Sequence, residues 1–176
     1  MKPYRVLFTE EQIHKRVEEI ATDIGRDFNN RQLAVVGLLE DSFVFMADLI
    51  RKIDTEMVCY FMKADVEEDD GHVSRIKKIV YSPELDIQEK DVLLIGGVLE
   101  TGITLDFLIK HLLLGRPNLL KICYLIDKPK CRKISLNADY AGFVSDFLEP
   151  HYLVGYGLGH ENKHRNLPYV GVLNQS

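Results

Sequence analysis

Val92-Leu-Leu-Ile-Gly-Gly-Val-Leu-Glu-Thr-Gly-Ile-Thr-Leu105 reads as an apolar strand that runs through a glycine-containing turn into a helix. The strand, Val92–Ile95, shows no polar alternation, as expected where both faces of a sheet are covered. The helix extends over Ile103–Leu114 and is ended by Gly115 and Pro117, a glycine stop followed by a residue that cannot continue a helix. Backbone N–H groups at such a helix start, joined by the hydroxyls of Thr101 and Thr104, form a site for a phosphate monoester. In a parallel sheet this turn lies at the carboxyl end of a strand, where ligands bind. An ordinary strand-to-helix turn with threonine as its cap accounts for the same residues.

The flanking segments repeat the pattern. Leu119–Ile126 is a second apolar strand after the helix. Upstream, Leu33–Leu38, Phe43–Ile53 and Glu56–Met62 read as strand, helix and strand. Thr9 and Gln12 have capping-box spacing, and Ile13, Val17, Ile20, Ala21, Ile24 and Phe28 recur behind them at helical period. Apolar strands alternating with helices predict an α/β fold, a parallel sheet flanked by helices. An acidic excursion over about 64–75 reads as a flexible loop, with a strand at Ile76–Tyr81 after it. Short strand candidates around Tyr140–Phe143, Tyr152–Tyr156 and Tyr169–Leu173 predict a small C-terminal hood over about 137–176.

Composition bounds the partners. The 176 residues suit one domain, 1–176, and a 46% apolar share can bury a real core. With 22 Lys plus Arg against 27 Asp plus Glu, the net charge of −5 argues against broad nucleic-acid or anionic-membrane binding. Every apolar run is broken well short of the ~18 residues that a membrane span needs. The segment Met1–Arg5 lacks the apolar stretch of a signal peptide, so a cytoplasmic location is expected. Cys59, Cys123 and Cys131, odd in number and without CxxC spacing, are expected to be reduced.

Residues 92–105 resemble the phosphoribosyl-pyrophosphate loop of type I phosphoribosyltransferases: apolar residues, two acids, two apolar residues, then Asp-Thr-Gly-x-Thr. Val36-Gly-Leu-Leu-Glu-Asp-Ser-Phe-Val-Phe-Met-Ala-Asp-Leu-Ile50 is similar to the pyrophosphate loop and following helix of the hypoxanthine-guanine branch. Leu125-Ile-Asp-Lys-Pro-Lys130 resembles its purine-contacting strand, and Asp139-Tyr-Ala-Gly-Phe143, Val154-Gly-Tyr-Gly-Leu158 and Arg165-Asn-Leu-Pro-Tyr169 resemble its hood. The likeness spans nearly the whole chain. It implies a type I phosphoribosyltransferase-like fold and purine salvage: a purine base and phosphoribosyl pyrophosphate give a purine nucleoside monophosphate and pyrophosphate, with Mg²⁺ assisting.

The resemblance also implies roles. Thr101, Gly102, Ile103 and Thr104 match the 5′-phosphate cradle, and Glu100 stands where the family has its general-base aspartate. Lys128 matches the lysine that reads the exocyclic oxygen of the purine, Tyr152 the stacking aromatic, and Leu153 a backbone contact to the base. Leu39, Glu40, Asp41 and Ser42 form the pyrophosphate loop, and Arg165 matches an arginine that reaches the pyrophosphate. A homodimer or homotetramer is expected by family.

The departures fall on the chemistry. Gly96 and Gly97 replace the acidic pair that would hold the ribose hydroxyls and organise Mg²⁺, and Gly159 replaces a third carboxylate near the metal. Glu100 adds a methylene where ~1 Å can cost ~100-fold in rate. In the pyrophosphate loop Glu40 replaces a lysine and Asp41 a glycine. Reversing a charge ~5 Å from a phosphate changes the Coulomb energy by about 6 kcal/mol at an effective dielectric near 20, and less when exposed. The expectation is a preserved nucleotide-binding frame with weakened transferase chemistry; the alternative is a non-catalytic purine-nucleotide-binding or regulatory homologue.

Two other motifs compete. His160-Glu-Asn-Lys-His164 fits the HExxH zinc pattern, which needs a stable helix; Gly155, Gly157 and Gly159 before it and Pro168 after it predict a loop instead. The acidic run 65–70 lacks the ligand spacing of an EF-hand and is expected to be solvated.

Overall fold

Thr9 Oγ1 accepts a hydrogen bond from the Gln12 N–H at 3.3 Å, and the Thr9 N–H donates to Gln12 Oε1 at 2.8 Å, the reciprocal cap expected of this spacing. The helix it opens, α1 (Glu10–Asp27), buries Ile13, Val17, Ile20, Ala21 and Ile24 on one face. Each larger aliphatic side chain so buried contributes about 2 kcal/mol of transfer free energy. The computed structural model describes residues 4–29, 31–68, 74–82, 85–146 and 152–173.

The remaining elements, in chain order, begin with β1 (Tyr4–Phe8) before α1 and then β2 (Leu33–Leu39), α2 (Phe43–Ile50), β3 (Met57–Glu68) and β4 (Ser74–Ser82). They continue with β5 (Asp91–Leu99), α3 (Ile103–Leu114), β6 (Leu119–Asp127), β7 (Tyr140–Val144), β8 (Leu153–Val154) and β9 (Val170–Leu173). The main sheet has the order β4-β3-β2-β5-β6-β7. The five strands β3, β2, β5, β6 and β7 are parallel, and β4 is antiparallel at the edge. Because successive strand residues face opposite sides, Val35, Leu93 and Ile95 pack with α1 and α2, while Ala34, Val36, Val92 and Leu94 pack with α3. Helices therefore cover both faces, and the apolar runs are explained.

Two expectations need correction. The hood does not begin at 137: β7 pairs in parallel with β6, Cys123 opposite Tyr140, and so belongs to the main sheet. Gly142 permits this approach, since a Cβ there would lie 2.3 Å from the carbonyl oxygen of Leu125. The hood is the antiparallel sheet β1-β9-β8, and β1 comes from the opposite end of the chain. Its short, half-polar sequence YRVLF gave no periodic signal, and only pairing with β9 makes it a strand. The expected acidic loop over 64–75 is mostly an antiparallel hairpin arm, with Asp65 opposite Lys78 and Glu67 opposite Arg75, and its ladder supplies both strands with backbone partners. Residues 69–73, within that stretch, lie outside the described residues.

Removing the cap acceptor with Thr9→Ala leaves one N–H of the first turn of α1 unsatisfied. We expect a loss of about 1 kcal/mol in urea unfolding. An unchanged midpoint would mean that packing alone holds the helix start.

Candidate functional site

The turn between β5 and α3 is shaped by Gly102, whose φ of 82° lies in the left-handed region and leaves no side-chain cap on the helix. Asp106 is the first residue of the turn to find an intrahelical partner, donating to the Gly102 carbonyl at 2.8 Å. The Ile103 N–H makes only a long 3.4 Å contact with Thr101 Oγ1. Amides of the first turn thus point out of the helix end beside Thr101 and Thr104. A cleft of about 360 Å³ opens there, lined among others by Leu38, Asp41, Glu100, Thr101, Thr104 and Tyr124. It shares Asp41, Val98 and Glu100 with a second cavity of about 230 Å³, bounded by Tyr152, Leu153, Leu158 and Gly159.

Lys128 follows β6, and its ammonium is buried against the Glu100 carboxylate. The two segments are bound together by Arg132, whose guanidinium donates to the carbonyls of Leu99 (2.7 Å), Glu100 (2.5 Å) and Lys128 (3.2 Å) while pairing with Asp127. The Arg132 Nε–H donates to Leu136 at 2.9 Å, so the segment after β6 is held as well. This cluster had no sequence signal. An arginine four residues past a strand-end lysine has no periodic meaning until β5 and β6 lie side by side. Tyr152, half exposed, stacks its ring 3.8 Å from that of His160.

On the other side of the cleft, β2 turns into α2 through Leu39, Glu40, Asp41 and Ser42, with a cis peptide at Leu39–Glu40. Ser42 is buried and its hydroxyl donates to the Leu38 carbonyl at 2.6 Å. Glu40 accepts from Lys63 at 2.9 Å and from Arg165 at 3.2 Å. The Lys63 hydrogen bond holds the Glu40 carboxyl below the usual range, so it is ionised at neutral pH. Asp41 pairs with Arg165, which also donates to the Gly157 carbonyl at 2.7 Å. Arg165 is therefore turned onto the two acids of the pyrophosphate loop.

The three glycines found in place of acids are crowded positions. A Cβ at Gly96 would lie 2.1 Å from Cε1 of Tyr124, a buried ring. One at Gly97 would lie 2.8 Å from Cβ and 2.9 Å from the carbonyl oxygen of Asp41, and one at Gly159 would lie 2.8 Å from Cγ of Arg165. The acids that remain near the cleft each face a cation: Glu40 with Lys63 and Arg165, Asp41 with Arg165, Glu100 with Lys128, and Asp127 with Arg132. Among the described residues no three His, Cys, Asp or Glu converge as a metal site. This donor set does not fit a protein-ligated Mg²⁺.

Residues 160–164 form turns, with positive φ at Glu161, Asn162 and His164. His160 faces Tyr152 and His164 faces Tyr4, so the two imidazoles do not share a helix face as zinc ligation by HExxH requires.

A helix start with unpartnered first-turn amides, at the carboxyl edge of a five-strand parallel sheet and beside a small hood, agrees with the expected phosphoribosyltransferase architecture. The family model for the phosphoribosyl transferase domain matches residues 7–158. The hypoxanthine-guanine phosphoribosyltransferase of Aquifex aeolicus is 38% identical over 170 residues, covering 96% of this chain and 94% of that one. That of Bacillus subtilis is 33% identical over 169 residues, covering 96% and 92%. Among solved structures, a Bacillus anthracis hypoxanthine-guanine phosphoribosyltransferase superposes with a TM-score of 0.85 at 36% identity, covering 98% of this chain and 99% of the other. A Staphylococcus aureus hypoxanthine phosphoribosyltransferase superposes with a TM-score of 0.87 at 36% identity, covering 97% and 91%. The chain belongs to the hypoxanthine-guanine phosphoribosyltransferase family, and its fold is the type I phosphoribosyltransferase fold.

The contact between position 96 and Tyr124 predicts an energetic coupling. Gly96→Ala should destabilise the chain by about 2 kcal/mol through overpacking. In a Tyr124→Leu background the same change should cost at least about 1 kcal/mol less. Additive losses in chemical denaturation would show that the ring does not occupy that space.

Proposed function

We propose that this chain is a purine salvage phosphoribosyltransferase acting on hypoxanthine or guanine, with weakened turnover. The observation that supports the reading is that Glu100, paired with Lys128, lines both the cleft at Thr101–Thr104 and the adjoining cavity at Tyr152 and Leu153. Thr101, Thr104 and the amides of Gly102 and Ile103 would hold the 5′-phosphate. The Lys128 ammonium would donate to the 6-oxo group, Tyr152 would cover the ring and the Leu153 backbone would meet its edge. Glu100 would accept the proton from the ring nitrogen as that nitrogen bonds to the anomeric carbon and the carbon–oxygen bond to pyrophosphate breaks. The transition state is oxocarbenium-like, so a fixed carboxylate and a confined base supply orientation and charge.

Arg165 would meet the departing pyrophosphate only by leaving Asp41. Mg²⁺, as the family uses it, would neutralise pyrophosphate when bound, but among the described residues the carboxylates beside the cleft are each paired with a cation and offer it no ligand set. The reading carries with it a cytoplasmic location and a homodimer or homotetramer without nucleic-acid or membrane partners. Among the described residues no helix is long and apolar enough to cross a membrane.

A second reading, a non-catalytic purine-nucleotide-binding or regulatory homologue, is favoured by the capture of Arg165 by Asp41 and Glu40. Product analysis of hypoxanthine or guanine with phosphoribosyl pyrophosphate and Mg²⁺ separates the two. We expect slow formation of IMP or GMP that falls at least ~100-fold in Glu100→Ala, the usual scale for a lost general base. Saturable binding of GMP with no product formed would establish the second reading instead.

A further inference from the structure

Four altered positions around the cleft are mutually dependent. Asp41 sits where it does because Gly97 has no side chain: a Cβ at 97 would lie 2.8 Å from the Asp41 Cβ and 2.9 Å from its backbone oxygen. Arg165 lies across Gly159, where a Cβ would be within 2.8–3.0 Å of its Cγ, Nε and Cζ, and from there it reaches Asp41 and Glu40. A side chain at 159 would push the arginine off this path and break the pair. The remaining cation beside the loop, Lys63, is drawn onto Glu40 at 2.9 Å. Two carboxylates thus face two cations across one subsite, and the arginine keeps a further bond to the Gly157 carbonyl. At the helix start, among the described residues, Glu100 is turned to Lys128 and Asp106 to Lys110, while Asp41, which lines the same cleft, is turned to Arg165.

We propose that Glu40 and Asp41 stand in for pyrophosphate against Arg165 and Lys63, so that the site holds a purine nucleoside 5′-monophosphate more tightly than any ligand carrying a diphosphate. The inference rests on the nucleotide site proposed above and names its ligand class. A diphosphate entering this subsite has to displace two carboxylates from their cationic partners and then lie beside them, and like charges at such range repel strongly. A monophosphate at the helix start meets no such competitor. Phosphoribosyl pyrophosphate, which carries both groups, is held at one end and opposed at the other.

The isosteric double variant Glu40→Gln/Asp41→Asn removes both charges while keeping side-chain shape. Isothermal titration of wild type and variant with inorganic pyrophosphate and with GMP, in buffer without divalent metal, reads each subsite separately. We expect wild type to bind GMP and to give no saturable signal with millimolar pyrophosphate. The variant should bind pyrophosphate at least roughly tenfold more tightly, since two opposing charges are gone and Arg165, released from the loop acids, makes charge-assisted bonds to the anion. Equal pyrophosphate affinity in the two proteins, or phosphoribosyl pyrophosphate binding to wild type as tightly as GMP, overturns the inference. GMP that binds neither protein counts against the proposed function, and the pyrophosphate comparison then decides the inference by itself. Should the double variant fail to fold, Asp41→Asn alone serves, with the same two outcomes.

Discussion

The Arg132 guanidinium is the constraint on which the site depends. It bonds three backbone carbonyls from two neighbouring strand ends, those of Leu99, Glu100 and Lys128, and neutralises Asp127. The Leu99 and Lys128 carbonyls each accept one backbone N–H as well, so Arg132 takes up their second lone pairs together with the Glu100 carbonyl. A planar donor with several fixed N–H directions satisfies them together, which a lysine could not do. The turn at Glu100–Thr104 and Lys128 are thereby held in one frame. The Lys128 N–H adds a bond to the Leu99 carbonyl at 2.9 Å.

Around that frame the replaced residues make a consistent set. Counted along the chain, the losses at Gly96, Gly97 and Gly159 look like independent subtractions of negative charge. In the folded protein each vacated position is filled by a neighbour: the Tyr124 ring at 96, Asp41 at 97 and Arg165 at 159. Two acids gained at 40 and 41 then offset the two cations beside them. Placing a side chain at any one of these glycines therefore creates a steric conflict. Close-packed interiors accept such exchanges only as groups.

The architecture was legible because its signals are local. The capping box at Thr9 and Gln12, the helical period of α1 and the glycine stop at Gly115 each depend on residues within a turn or two of one another. The flanking unit 33–62 was read with nearly its true boundaries, although α2 ends at Ile50 and β3 runs on to Glu68. The hood was misplaced for the opposite reason. Tyr140–Val144 joins β6 and Tyr4–Phe8 joins β9, and neither choice can be made from a five-residue segment without its partner. The non-helical turn at 160–164 was foreseen because Gly155, Gly157 and Gly159 are strong local breakers.

By itself the sequence determined the alternation of strands and helices from α1 onward and the strand-to-helix turn at Thr101–Thr104, with glycines at 96, 97 and 159. Tertiary structure alone decided what lies against those glycines. Asp41 and Arg165 are 124 residues apart and Glu100 and Lys128 are 28 apart, and the sheet order brings each pair together. Periodicity and capping act over one or two turns of chain, whereas the filling of a vacated side-chain volume depends on whichever residues the folded sheet carries past it.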